Sequence, residues 1–206
     1  MAAMIVAVVA SLFGCAGHED TFYRNTAAIR SLNGSRPLSG AGTFRGVWID
    51  FDAIGDWSPL REASPEVFAA YQNTGVPLYT RTLVVMQLHP PKTDFADDQG
   101  FIEAARRSIA ADRTREKRRI ELDMATGTGE WKSCVRFYKK FTTEDSRSAP
   151  GQLFTEEVVG YVCRHPKQPS EVLGIYYSER YPVSTDVGGF IERASDVLSG
   201  IGFTSH

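Results

Sequence analysis

Cys134-Val-Arg-Phe-Tyr-Lys-Lys-Phe-Thr-Thr-Glu144, Asp145-Ser-Arg-Ser-Ala-Pro-Gly-Gln152 and Leu153-Phe-Thr-Glu-Glu-Val-Val-Gly-Tyr-Val-Cys163 are three consecutive pieces of one stretch, and their reading decides the fold. Trp131 to Phe141 and Phe154 to Arg164 are rich in β-branched and aromatic residues and read as strands. Between Glu144 and Leu153 the chain changes to Asp, Ser, Arg, Ala, Pro and Gly, the chemistry of a turn. In an antiparallel hairpin, opposed residues share a constant index sum. Setting Cys134 against Cys163 gives 134 + 163 = 297, places Thr142 opposite Thr155, and drops the turn into that segment. The pairing predicts a Cys134–Cys163 disulfide. Its alternative is two reduced cysteines buried as small hydrophobes. A metal site is disfavoured, because the two cysteines with His165 lack a convincing fourth ligand.

Other elements follow outward from this hairpin. Val172 to Tyr181 reads as a further strand after Pro166-Lys-Gln-Pro169. Upstream, Ile120, Leu122 and Met124 alternate with Glu121 and Asp123, a half-buried strand pattern. A longer helix is expected from a cap at Asp94 to about Asp112, with Ile102, Ala105 and Ile109 at helical spacing. Leu78 to Leu88 reads as a strand stopped by His89-Pro90-Pro91. Ser64-Pro65-Glu66 opens a short helix through about Asn73, and Thr43 to Phe51 forms one strand. A closing helix carries Val187, Phe190, Ile191, Ala194, Val197, Leu198 and Ile201, capped by Ser184, Thr185 and Asp186. This order predicts an α+β domain over residues 43–206: one antiparallel sheet flanked by helices, sandwich-like.

Residues Met1 to Phe13 are almost wholly apolar. As a helix they would cover roughly 20 Å, short of the ~30 Å bilayer core and suited to the apolar region of a signal peptide. No Lys or Arg precedes them, which a start site upstream of Met1 would account for. The run ends in Leu12-Phe13-Gly14-Cys15, which resembles the bacterial lipobox. That resemblance implies cleavage of residues 1–14 and a diacylglyceryl group on Cys15. Residues 15–42, broken by Gly, Ser, Asn and Pro, then read as the acylated cysteine and its flexible tether. The order of elements from about residue 43 to 203 is similar to the Mog1/PsbP-like group, which includes many bacterial envelope lipoproteins. That likeness implies a binding or assembly role without naming a partner, and the lipobox resemblance implies an envelope location with the domain facing the periplasm or exterior.

Composition narrows function by exclusion. The net charge of −2 is not that of a nucleic-acid binder, and 23% charged with 42% hydrophobic residues is ordinary for a globule. Asp50 and Asp52 share a strand face with Asp56 nearby, yet the spacing lacks the ligand set of a calcium loop, so no metal is expected. Arg113, Arg115, Lys117, Arg118 and Arg119 form a basic run. It is either a contact for an anionic lipid, cell-wall polymer or acidic partner, or the solvated exit of a helix. His18, His89, His165 and His206 are the only histidines, and no nucleophile elbow, phosphate loop or zinc-protease motif is present. Tyr138, Tyr161, Tyr176, Tyr177, Tyr181, Trp131 and Phe137 read first as packing residues and second as a groove lining. The leading expectation is a non-catalytic, membrane-anchored binding or scaffolding lipoprotein without a cofactor. The alternative is an envelope hydrolase or small-ligand carrier with a pocket near His89 or His165.

Overall fold

The computed structural model describes residues 37–59, 65–89, 97–113, 116–144 and 151–204. The expected leader, Cys15, most of the tether, and Arg115 lie outside these residues. Within them the order is β1 (Ala41–Phe44), β2 (Val47–Asp50), α1 (Phe51–Ile54), β3 (Ser58–Pro59), β4 (Val67–Asn73), β5 (Thr80–Leu88), α2 (Asp98–Ala111), β6 (Arg118–Thr126), β7 (Cys134–Glu144), β8 (Leu153–Arg164), β9 (Val172–Pro182), α3 (Phe190–Ser199) and β10 (Ile201–Phe203).

The central hairpin sets the frame. β7 and β8 pair from Cys134 opposite Cys163 to Glu144 opposite Leu153, keeping the index sum of 297 throughout. Cys134 and Cys163 are joined by a disulfide, with their Cα atoms 4.1 Å apart. Around the hairpin grows a seven-stranded antiparallel sheet in the order β3-β4-β5-β9-β8-β7-β6. β9 is buried along its whole length and β8 along most of it, so both faces of these strands are covered and neither is left to solvent. The fold is α+β, with helices packed on an antiparallel sheet.

Each face has its own core. On one, Phe101, Ile102, Ala105 and Ile109 of α2 pack against Val84, Met86, Phe137, Val158 and Tyr176. On the other, Phe190, Ala194 and Val197 of α3 join Val47, Ile49 and Ile201 over Leu83, Val85, Val159, Ile175 and Tyr177. Burying an aliphatic or aromatic side chain of this kind stabilises by roughly 1.5–3 kcal/mol. The two layers therefore hold the sheet from both sides. Gly160 makes the first core close. It stands opposite Tyr176 on β9, and a Cβ there would lie 2.2 Å from the Ile175 carbonyl and 2.4 Å from Tyr176 Cβ.

Several expectations are corrected. Residues 67–73 form a strand, not the helix expected from Ser64-Pro65. β4 pairs with β5 over seven positions, from Val67 opposite Met86 to Asn73 opposite Thr80. Its apolar residues divide between both cores, Ala69 to one and Ala70 to the other. Local capping chemistry loses to a ladder that would otherwise leave β5 as a long open edge. The single strand expected over 43–51 is a hairpin. Arg45 and Gly46 both take positive φ, 51° and 71°, the geometry of a tight two-residue turn between β1 and β2. α2 is capped by Asp97, which accepts the Gly100 N–H at 2.7 Å, and not by Asp94, which is outside the described residues.

The closing helix is also shorter than expected. Gly189, in the left-handed region, starts α3 with no side-chain cap, and Ile201 belongs to β10. β10 pairs with β2, completing a second, three-stranded sheet in the order β1-β2-β10. Trp131 lies in a 3-10 turn ahead of β7. A register shift between Arg119 and Glu121 turns Ile120 out of the alternating pattern and leaves it 52% exposed.

Candidate interaction surface

Two carboxylates stand at one end of the sheet where a strand core should be apolar. Glu157 on β8 is directly opposite Glu179 on β9, and both are buried. Like charges set directly across a ladder repel, so the pair needs compensation. Glu179 accepts bonds from the Tyr79 hydroxyl at 2.6 Å and from the Tyr177 hydroxyl. It also takes the Arg193 fork, Nε at 2.7 Å and Nη2 at 2.8 Å. Arg81 Nε is a further 3.6 Å away. Glu157 accepts the Tyr138 hydroxyl at 2.7 Å and the Tyr181 hydroxyl, with Lys140 Nζ at 3.3 Å.

The electrostatics follow from these bonds. Burial pushes the Glu179 carboxyl toward its neutral form, but the Arg193, Tyr177 and Tyr79 bonds outweigh it and hold the group below its ordinary value. Burial, then the nearby Glu179 charge, raises the Tyr177 phenol. Burial and the hydrogen bond to Glu157 raise Tyr138 and Tyr181. Glu179 is thus a fixed anion among neutral phenols, and its oxygens are spent on internal donors. The cluster is a rigid polar plug rather than an acid–base pair aimed at a substrate.

Part of the basic run is paired internally in the same way. Arg119 faces inward: Nη1 donates to the Ala110 carbonyl at 2.9 Å, Nη2 to the Asp112 carbonyl, and the guanidinium pairs with Glu116 at 2.7 Å. It closes the C-terminal end of α2, whose last carbonyls lack helical partners. Lys139 is buried between Asp112 at 3.1 Å and Glu116 at 3.0 Å. Arg113 is 3.9 Å from Glu116, and Lys117 pairs with Glu144. Arg118 is exposed on β6. Among the described residues of the run, Arg119 is turned inward while Arg113, Lys117 and Arg118 remain exposed.

Other singled-out residues have structural work. Asp50 caps α1, accepting from the Asp52 and Ala53 N–H groups, while Asp52 accepts the Gly40 N–H at 2.8 Å. Asp56 is exposed, and no metal-ligand cluster occurs among the described residues. His89 is half exposed and 3.2 Å from Glu66. His165 is buried, and its Nδ1 accepts the Lys167 and Gln168 N–H groups at 3.1 and 3.0 Å. Burial lowers its basicity, Glu171 opposes that, and Lys167 adds to it. Trp131 stacks on Tyr161, with ring centroids 4.5 Å apart, while Tyr176 and Phe137 sit in the α2-side core.

Around the carboxylate cluster the surface changes character. Val76, Leu153, Val183 and Ile191 are 47%, 42%, 50% and 46% exposed. Val183 follows the end of β9 and donates its N–H to the Leu153 carbonyl at the start of β8. Val76 lies in the β4–β5 turn, where its carbonyl accepts the Tyr79 N–H. Tyr79 meets Tyr181 edge to face at 6.0 Å. Ile191 is in the first turn of α3, beside the Phe190 ring that stacks on Tyr177. Four exposed aliphatic tips thus surround one end of the sheet, while the disulfide, His89 and His165 lie at the other. Glu157, Glu179, Tyr79 and Arg193, which organise this end, were not singled out from sequence. Their signal was charge inside two otherwise buried strands, with index sums 157 + 179 and 156 + 180 both equal to 336.

No family model matches the chain, and no curated protein matches it.

Proposed function

We propose that this protein is a lipoprotein anchored to the bacterial envelope through Cys15, and that its α+β domain is a non-catalytic binding or scaffolding module. The observation that carries the binding role is the grouping of Val76, Leu153, Val183 and Ile191 at one end of the sheet. They are four of the six large hydrophobic side chains exposed among the described residues, and their concentration at this one end, though on separate projections, is the reason for reading it as a contact. Beneath them the Glu157–Glu179 plug fixes the strands, so the tips are presented on a stiff support. Export to an oxidising compartment is supported by the Cys134–Cys163 bond, since disulfides persist there and are rare in the cytosol. The hydrolase alternative loses support because His165 spends Nδ1 on a turn and the two buried glutamates spend their oxygens on internal donors.

The test is proximity cross-linking in the native envelope with wild-type protein and with Val76→Asp/Val183→Asp, using Arg113→Ala/Lys117→Ala/Arg118→Ala as the comparison. The aspartates are expected to abolish cross-links that the basic-run variant largely retains. Identical cross-links for all three proteins would remove this end as the contact.

A further inference from the structure

We infer that the partner met by this end of the domain is the lipid bilayer itself, docked through the aliphatic tips and without a requirement for anionic lipid. The inference rests on the proposed anchor at Cys15 and names what the binding end touches.

The form of the surface is the first reason. Its apolar residues stand on separate projections: the β4–β5 turn, the start of β8, the segment after β9 and the first turn of α3. A fluid bilayer accommodates separated tips, while a protein partner would have to match each one. The β4–β5 projection is built firmly. Asn73 Oδ1 accepts the Gly75 N–H at 3.0 Å, and Thr74 Oγ1 accepts the Val76 N–H at 3.2 Å and donates to the Tyr79 carbonyl at 3.0 Å. Gly75, Val76 and Pro77 are left exposed at its tip.

Charge is the second reason. Arg81 and Arg193 face Glu179, Lys140 faces Glu157, Lys117 faces Glu144, and Arg113 faces Glu116. Asp186 and Glu192 are also exposed here, against an exposed Arg118. With cations and carboxylates so closely balanced among the described residues, electrostatic attraction to anionic lipid contributes little, and apolar contact has to supply the docking. The third reason is reach. Leu38, where the described chain bridges to Trp57, lies twenty-three positions after Cys15. Extended, they span up to roughly 75 Å. An anchor at Cys15 can therefore hold any end of the domain against the membrane, and its high local concentration makes a weak apolar contact effective.

Hydrogen exchange tests this on the acylated protein in phosphatidylcholine nanodiscs, against the Cys15→Ala protein free in solution. The expected result is at least tenfold slower exchange over residues 75–79 and 183–186 in nanodiscs, with residues 165–171 at the opposite end unchanged. Acylated Val76→Asp/Val183→Asp protein is expected to co-purify with the nanodiscs but lose that protection. Anchored wild-type protein without protection at 75–79 and 183–186 overturns the docking inference and leaves the anchor standing. Protection that appears only when phosphatidylglycerol is added overturns its charge-independent form. Failure of the wild-type protein to associate with nanodiscs overturns both the anchor and the inference.

Discussion

Replacing Glu179 by Gln keeps the shape of the side chain and removes its charge. The buried carboxylate receives four donors: two tyrosine hydroxyls and both arms of the Arg193 fork. A glutamine offers one acceptor oxygen and points an amide NH2 at part of that set. It therefore forfeits at least one arm of the fork and one phenol bond. Hydrogen bonds to a charged group contribute about 1.5–3 kcal/mol each, so two are worth roughly 3–6 kcal/mol. Burying a neutral amide in place of a charge returns part of this, and the partly exposed Arg193 can find water. A net destabilisation of roughly 3–4 kcal/mol follows. At about 2–4 °C per kcal/mol for a chain of this size, the melting temperature should fall by roughly 6–16 °C. Circular dichroism melts at pH 7 with the disulfide intact measure it. The sign of the pH dependence adds a second check. A carboxyl held low in the folded state contributes stability above its unfolded pKa and loses it as pH falls through the folded value. The gap between wild type and Glu179→Gln should therefore narrow on acidification. A melting point within 2 °C of wild type at pH 7, or a gap that widens toward acid, would refute the claim that the plug holds this end.

Three further outcomes are expected. Reducing the Cys134–Cys163 bond opens a loop of about 30 residues, which in the chain-entropy view costs about 3.5 kcal/mol and should lower the denaturant midpoint of unfolding; an unchanged midpoint contradicts it. His165 is less basic folded than unfolded, so the unfolded chain binds more protons and stability should decline as pH drops below about 6.5. His165→Gln, less stable at pH 8, should show a flatter acid limb between pH 8 and 5, and parallel curves would count against the buried acceptor role. Gly160→Ala drives a methyl into the Ile175 carbonyl and Tyr176, and should cost about 3 kcal/mol in equilibrium unfolding; a loss under about 1 kcal/mol would mean that β8 and β9 part more easily than the packing implies.

What the sequence disclosed follows from which forces are local. The β7–β8 register was readable because two cysteines and a Pro-Gly turn constrain one sum, and a one-residue slip would turn every side chain to the other face. α2 was readable from its spaced Ile102, Ala105 and Ile109. Residues 67–73 misled because Ser-Pro-Glu is genuine helix-start chemistry, and only the distant β5 decides otherwise. β10 was hidden for the same reason, since three residues acquire strand identity from β2 alone. The basic run showed its composition but not its partners, because Glu116 and Asp112 fold back onto Arg119 and Lys139. The carboxylate plug was half visible, as charge within buried strands. Its meaning depended on Tyr79 and Arg193, which reach it from a turn and from a helix that sequence cannot align.

The measurement that bears most directly on the account is intact, non-reducing mass spectrometry of the protein extracted gently in detergent from its own membranes. The expected result is a chain beginning at Cys15, carrying two or three acyl chains, and two hydrogens lighter for the Cys134–Cys163 bond. A chain that retains Met1, or one cleaved without acylation and bearing free thiols, would contradict it.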